Sequence, residues 1–361
     1  VAGNERLERL RYELQRRDDP DHLLVASAEN RRYLSGFTGS AGALLITPEE
    51  QYIFVDSRYT EQAAEQAPGF APVQVKENAR DTLREFLSDL DPGRVGFEAG
   101  HTTYEEYCNL TDEIEAVQWV ATSGVVEKLR QVKDPEELDM IREAAWTADA
   151  AFEEILPSVA PGRAEEDIAL DFEFCMRRRG AEGLAFPLII ASGVRSSMPH
   201  GQASDKEIER GDFITFDYGA RRFGYCSDAT RTVVVGAADE RQSEIYHVVL
   251  RAQEAAVAAI EPGKTGAEID EVARDIIEDA GYGEYFGHGL GHGVGLAVHE
   301  GPSLSRRRGT TPLEPGMVVT VEPGIYVPEW GGVRIEDLVV VTEDAGEILT
   351  GISKDLVVID A

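Results

Sequence analysis

The chain has 361 residues, 42% of them hydrophobic, which is more than one core usually holds, since cores stop growing near ~250–300 residues. Its 67 acidic residues against 35 basic ones give a net charge of −32, and only six of the basic residues are lysines. Such a surface repels nucleic-acid phosphates and suits a protein kept soluble in high salt, so a salt-loving source is expected and a nucleic-acid partner is not.

The stretch from Asn4 to Asp19 is rich in Glu and Arg and lacks a signal-peptide core. No run approaches ~18 consecutive apolar residues, so a cytoplasmic chain without a membrane partner is expected. An amphipathic helix is predicted over 4–17. Apolar runs at 23–27, 43–46, 52–55, 95–97 and 117–120 read as strands, and helical spacing appears at 59–66 and 82–90. This alternation makes residues 1–125 a compact α/β domain. Two polar clusters within it, Gly36-Phe-Thr-Gly-Ser40 and Asp56-Ser-Arg-Tyr59, imply no chemistry by their spacing and are read as structural. Cys108, Cys175 and Cys226 are too few and too unpatterned for a disulfide framework or a CxxC metal site.

A second domain, 126–361, follows a boundary near 124–134. Asp134-Pro-Glu-Glu there supplies a helix N-cap, a proline at the first helical position and acids in the first turn. Leu138, Ile141, Ala145, Ala148, Phe152 and Ile155 then line one helical face, and Pro161-Gly162 leads to another helix ending at Gly180.

An internal repeat comes next. Pro161-Gly-Arg, Ile168 and Gly180 recur as Pro262-Gly-Lys, Ile269 and Gly281, always 101 residues on. Gly211-Asp-Phe-Ile-Thr-Phe-Asp217-Tyr-Gly219 matches Gly316-Met-Val-Val-Thr-Val-Glu322-Pro-Gly324 at an offset of 105, and Gly224 and Asp228 match Gly332 and Glu336 at 108. The domain therefore reads as two copies of a helix–helix–hairpin unit with one carboxylate on each hairpin arm. Packing of the copies about a pseudo-two-fold axis would gather Asp217, Asp228, Glu322 and Glu336 at one centre.

Four inward acids with only Arg334 near in sequence call for divalent cations, and a carboxylate-rich set without thiolate suits Mn²⁺, Co²⁺ or Zn²⁺. Paired metals commonly activate a water as nucleophile. His200, His288, His292 and His299 sit near or within glycine-rich segments of this domain. In Gly287-His-Gly-Leu-Gly-His-Gly-Val-Gly295 the alternate glycines disfavour a helix and imply backbone that something approaches closely.

With these motifs in view, the chain resembles the creatinase/aminopeptidase P/prolidase family of pita-bread metallopeptidases over nearly its whole length. Asn30-Arg-Arg-Tyr-Leu-Ser-Gly-Phe37 and Asp56-Ser-Arg-Tyr59 are similar to the creatinase-type N-terminal domain, and the repeat to the duplicated α+β catalytic domain. The resemblance implies that Asp217, Asp228, His292, Glu322 and Glu336 ligate two metals, manganese first among them. It implies substrate-facing roles for His200 and His299, an aromatic pocket wall at Phe186, and Glu322 as the base that moves a proton from water to the leaving nitrogen. Arg334 is expected to orient the ligands from behind.

The implied substrate is a proline-containing peptide cleaved at an Xaa-Pro bond, by a homodimer. Dipeptidase members are expected to carry an arginine just after His-Glu-x-Pro; Ser303 stands there, which leans toward aminopeptidase P, with Xaa-Pro dipeptidase as the alternative and Arg306, Arg307 and Arg308 able to substitute. A hydrolase of a small amide or osmolyte and a non-enzymatic binding module are the further alternatives.

Overall fold

The computed structural model describes residues 2–16, 20–90, 92–115 and 117–360 and divides into two compact units that meet between Arg130 and Gln131. In the first unit the elements are α1 (Ala2–Arg16), β1 (His22–Val25), α2 (Ala28–Ser35), β2 (Ala43–Ile46), β3 (Gln51–Val55) and α3 (Thr60–Gln66). They continue with β4 (Ala71–Gln74), α4 (Ala79–Leu90), β5 (Arg94–Glu98), α5 (Tyr104–Glu113), β6 (Gln118–Thr122) and α6 (Val125–Gln131). The predicted end of the first helix at residue 17 lies outside the described residues. One mixed sheet, ordered β4-β3-β2-β1-β5-β6, packs Leu24, Leu45, Phe54 and Val95 against Leu83 and Leu87 of α4.

The short helices α2, α5 and α6 and the exposed, proline-containing edge strand β4 escaped the sequence reading because each is too brief to show a period. The two polar clusters brace each other. Arg58 donates to both carboxylate oxygens of Asp56 at 3.0 and 2.8 Å, and the Tyr59 and Ser40 hydroxyls lie 2.7 Å apart.

The second unit opens with α7 (Pro135–Ile155). The Glu137 N–H donates to Asp134 Oδ1 at 2.9 Å and the Asp134 N–H donates to Glu137 Oε2 at 3.0 Å, a reciprocal cap that fixes where the helix starts. Next come α8 (Glu165–Arg178), β7 (Gly183–Leu184), β8 (Ile189–Ser192), β9 (Phe213–Tyr218), β10 (Ala220–Arg222), β11 (Tyr225–Cys226) and β12 (Ala229–Val235). The second copy holds α9 (Glu240–Ala258), α10 (Gly266–Asp279), β13 (Gly291–Gly293), β14 (Glu300–Leu304), β15 (Val318–Val321) and β16 (Gly324–Val327). It ends with β17 (Gly331–Arg334), β18 (Asp337–Val341), β19 (Gly346–Ile348) and β20 (Val358–Ile359).

Each copy packs its helices on its own strands. Phe152 of α7 stacks on Tyr218 of β9 at 5.1 Å between centroids, and truncating it to alanine would cost ~3–5 kcal/mol. In the second copy Ile245, Val249, Ile269 and Ile277 of α9 and α10 cover Val319, Val321, Val339 and Val341.

The sequence reads each hairpin as one continuous pair of arms, and here the structure differs. In the second copy β15 pairs with β18, Val321 facing Asp337, and a separate ladder β16–β17 begins at Gly324 opposite Arg334. The break falls at Glu322-Pro323 and Ile335-Glu336, because Pro323 has no N–H to donate to a ladder. The first copy breaks likewise between the β9–β12 and β10–β11 ladders. At these joints the strict alternation of faces lapses, which frees Asp228, Glu322 and Glu336 to turn toward a common space. The copies meet there: the Glu336 N–H donates to the Thr230 carbonyl at 3.1 Å.

Candidate metal centre

A cavity of about 1300 Å³ opens over the joints. Every residue nominated from the sequence lines it: Phe186, His200, Asp217, Asp228, His292, His299, Glu322, Arg334 and Glu336. One carboxylate oxygen from each of Asp217, Asp228 and Glu336 lies within 4.8 Å of the other two. His292 Nε2 stands 3.6 Å from Asp228 Oδ2 and 3.4 Å from Glu322 Oε1, which joins the fourth acid to the group.

A bulge carries His292 to this point. The pairing of β13 with β14 shifts register between His292 and Gly293, a device that re-aims one side chain. The flanking glycines answer to close packing: a Cβ on Gly291 would strike the Thr320 carbonyl, and one on Gly293 the Gly301 carbonyl. No helix forms, so the four-residue spacing of His288 and His292 has no helical meaning.

Charge dominates the site. Burial, then repulsion from neighbouring acids, pushes the Asp228 and Glu336 carboxyls well above the usual carboxylate range, and burial raises Glu322. Arg334 is the counter-cation. Its guanidinium donates to Asp217 Oδ2 at 2.7 Å, to Thr230 Oγ1 at 3.0 Å and to the Tyr326 hydroxyl at 2.8 Å. Burial pulls its pKa down, but Tyr326, Asp217 and Glu322 outweigh that and keep it charged. The Thr230 hydroxyl passes the chain on, donating to Glu336 Oε2 at 2.6 Å.

One guanidinium leaves most of this charge unbalanced, and Asp217 Oδ1 is buried with no hydrogen-bond partner among the described residues. Burial pulls His292 down, toward the neutral form that ligates metals. His299, whose ring centroid lies 4.3 Å from that of His292, is lowered by burial and by that neighbour. Clustered oxygen donors, one neutral imidazole and an orphaned carboxylate oxygen fit a pair of divalent cations.

Four participants have no role in the sequence reading. The Thr320 hydroxyl accepts the His292 N–H and donates to Glu322 Oε1, both at 3.0 Å. Its register with Thr215 in the repeat was a usable signal. Tyr326 and Thr230 gave none, because only the meeting of the two ladders brings them to Arg334. His288, unassigned from sequence, lies 3.0 Å from the Tyr326 hydroxyl through Nε2.

Comparison with known proteins agrees with this geometry. Residues 139–343 match the model of metallopeptidase family M24, and 6–132 match the creatinase/prolidase N-terminal domain. The chain belongs to metallopeptidase family M24, whose centre is dinuclear. The structure of an Xaa-Pro dipeptidase from Bacillus anthracis is similar at a TM-score of 0.96 and 46% identity, over 99% of both chains. The Xaa-Pro dipeptidase of Pyrococcus furiosus is 41% identical over 353 residues, 98% of this chain and 99% of that one. An X-Pro aminopeptidase structure from Thermotoga maritima has a TM-score of 0.88 at 39% identity, covering 94% of this chain and 97% of that one. Among the described residues no helix is long and apolar enough to cross a membrane.

Proposed function

We propose that this chain hydrolyses the imide bond of Xaa-Pro dipeptides, with Xaa-Pro aminopeptidase action on longer peptides as the second reading. The observation that carries the choice is the turn bearing Arg306, Arg307 and Arg308 on the wall of the cavity. Ser303 alone favours the aminopeptidase; the turn supplies guanidinium groups to the same cavity from a few residues further on. Arg306 reaches Glu278 at 3.4 Å, whereas the Arg307 and Arg308 side chains have no ion pair among the described residues. Guanidinium groups left open in a chain of net charge −32 suit a substrate whose far end is a free proline carboxylate. A longer peptide presents a neutral amide there. The dipeptidase relatives at 46% and 41% identity support the same side.

In this reading Asp217, Asp228, His292, Glu322 and Glu336 hold two divalent ions, and the oxygen-rich donor set favours manganese over cobalt or zinc. When bound, such ions supply Lewis-acid polarisation of the scissile carbonyl and a water acidic enough to attack at neutral pH. Glu322 accepts the proton of the attacking water and delivers it to the proline nitrogen, so that the C–N bond breaks to a free amino acid and proline. His200 and His299 donate to the carbonyl oxygen as negative charge develops on it. Phe186 gives the apolar wall, and Arg334 holds Asp217 in place.

The free cysteines support a reducing, cytoplasmic setting, the net charge supports a high-salt source, and the family resemblance supports a homodimer. The manganese-loaded protein should turn over Gly-Pro with a kcat/KM at least about tenfold above that for Gly-Pro-Ala, and replacing Arg307 and Arg308 by alanine should raise KM for Gly-Pro. Equal or better turnover of the tripeptide would sink the dipeptidase reading.

A further inference from the structure

The His200 ring is exposed to the cavity and makes no hydrogen bond among the described residues, so its placement depends on the course of its backbone rather than on a polar partner. That backbone is the loop 192–204, whose regular structure is one 3₁₀ turn, Gly193–Ser197. Both ends of the loop converge on one carboxylate. Glu165, the first residue of α8, is fully buried. Its Oε1 accepts the Ser192 N–H at 2.7 Å and the Ser192 hydroxyl at 2.8 Å. Its Oε2 accepts the Ser204 N–H at 3.1 Å and the Ser204 hydroxyl at 2.8 Å, and Arg195 donates from within the loop at 3.0 Å.

The helix start joins in, since the Glu165 and Glu166 N–H groups donate to the Lys206 and Ser204 carbonyls at 3.1 and 3.0 Å. A buried carboxylate is costly unless satisfied this fully, so its presence needs a reason. The repeated architecture is not that reason, because Gly266 occupies the matching position in the second copy, 101 residues on. The acid belongs to the half that carries His200.

We infer that Glu165 is a positioning residue of the reaction: it ties together the two ends of the 192–204 loop and so holds His200 over the scissile carbonyl. The inference rests on the proposed role of His200. It sets Glu165 apart from a residue that only supports the fold, since its effect on turnover must pass through one imidazole.

The test places Glu165→Gln in the wild-type and the His200→Ala backgrounds and measures kcat, KM and metal content with manganese and Gly-Pro. In the wild-type background kcat should fall about 10–100-fold, with KM within about threefold and metal content unchanged. In the His200→Ala background the same substitution should cause no further loss of kcat. Glu165→Asp, which keeps the charge, should restore part of the rate. Should Glu165→Gln fail to fold, Ser204→Ala removes a single hydroxyl from the clamp and should show a smaller fall with the same non-additivity.

Equal fractional losses in both backgrounds, or loss of metal, would overturn the inference while leaving the role of His200 intact. Full kcat in His200→Ala alone would overturn that role and the inference together.

Discussion

In the first half of the catalytic unit Asp217 lies on β9 and Asp228 just before β12; in the second, the matching Glu322 and Glu336 lie just beyond the end of the β15–β18 ladder, at its break. The halves diverge around these acids. Thr320 donates to Glu322, whereas the buried Thr215 hydroxyl, its counterpart, has no hydrogen-bond partner among the described residues. Arg334 stands where the first half has Cys226, and reaches across to Asp217. Gly266 stands where the first half has Glu165. Duplication has thus kept the plan for gathering carboxylates. The groups that steady the proposed proton acceptor sit in the second half, and the loop clamp sits in the first.

If the two halves contribute alike to the metal pair, Asp228→Asn and Glu336→Gln should each remove bound metal and lower kcat/KM at least ~10³-fold, as read by metal analysis and Gly-Pro turnover. Metal retained by one variant alone would break the equivalence. Chelation of the wild-type protein should likewise abolish turnover and lower Tm. Since burial and mutual repulsion raise both carboxyls, metal uptake must expel protons, so affinity should weaken as pH falls. Calorimetry in two buffers of different ionisation heat should register that proton release.

The carboxylate plan was legible in the sequence because it rests on a repeat, and repeats survive without any knowledge of packing. The helix capped by Asp134 was legible for a local reason, since its signals lie within four residues of its start. What stayed hidden depends on approach between distant segments. Pro323 foretells a broken ladder only once β15 and β18 are known to pair. The bulge at His292 and the Arg334–Thr230–Glu336 chain exist only after the two halves meet. Ser303 leans toward the aminopeptidase as a single position, and the sequence leaves open whether Arg306, Arg307 and Arg308 reach the same place; the structure puts that turn on the cavity wall, and the dipeptidase relatives support the alternative better.

The halves also differ in what lies behind their ladders. Helix α7 supplies Asp149, which accepts the Gly351 N–H at 2.6 Å, and α9 supplies the neutral Gln253, which donates to Asp337 at 2.9 Å. Burial pushes the Asp149 carboxyl up to about 6, against the opposing pull of the Gly351 N–H. Folding therefore takes up a proton between the ordinary value near 4 and about 6. The group's contribution is most favourable below that window, declines as pH rises through it, and above it amounts to a cost of up to ~3 kcal/mol. Asp149→Asn should flatten the stability–pH curve between pH 4 and 6, and Gln253→Leu should shift the curve without changing its slope. Urea midpoints across that range decide it; a slope unchanged in Asp149→Asn would place the titration elsewhere.

Arg334→Lys should cost about 10–100-fold in kcat/KM, since one ammonium cannot serve Asp217, Thr230 and Tyr326 together. A value near wild type would mean that charge alone, without the fork, holds the halves together.

The smallest effect gives the sharpest contrast. Thr320→Val strips a hydroxyl that bonds both the His292 N–H and Glu322, leaving a buried donor unpaired, and should destabilise by ~1–2 kcal/mol with a measurable fall in kcat. Thr215→Val removes a hydroxyl that makes no hydrogen bond among the described residues, at nearly the same volume, and should be neutral or stabilise by ~1 kcal/mol with kcat unchanged. Opposite signs in the two urea midpoints are expected from chain geometry: aspartate is one methylene shorter than glutamate, and Asp217 is held by Arg334, so nothing in the first half asks for the threonine. A loss at Thr215 equal to that at Thr320 would mean that the first-half hydroxyl also serves its carboxylate, and the proton-handling asymmetry between the halves would then rest on Arg334 alone.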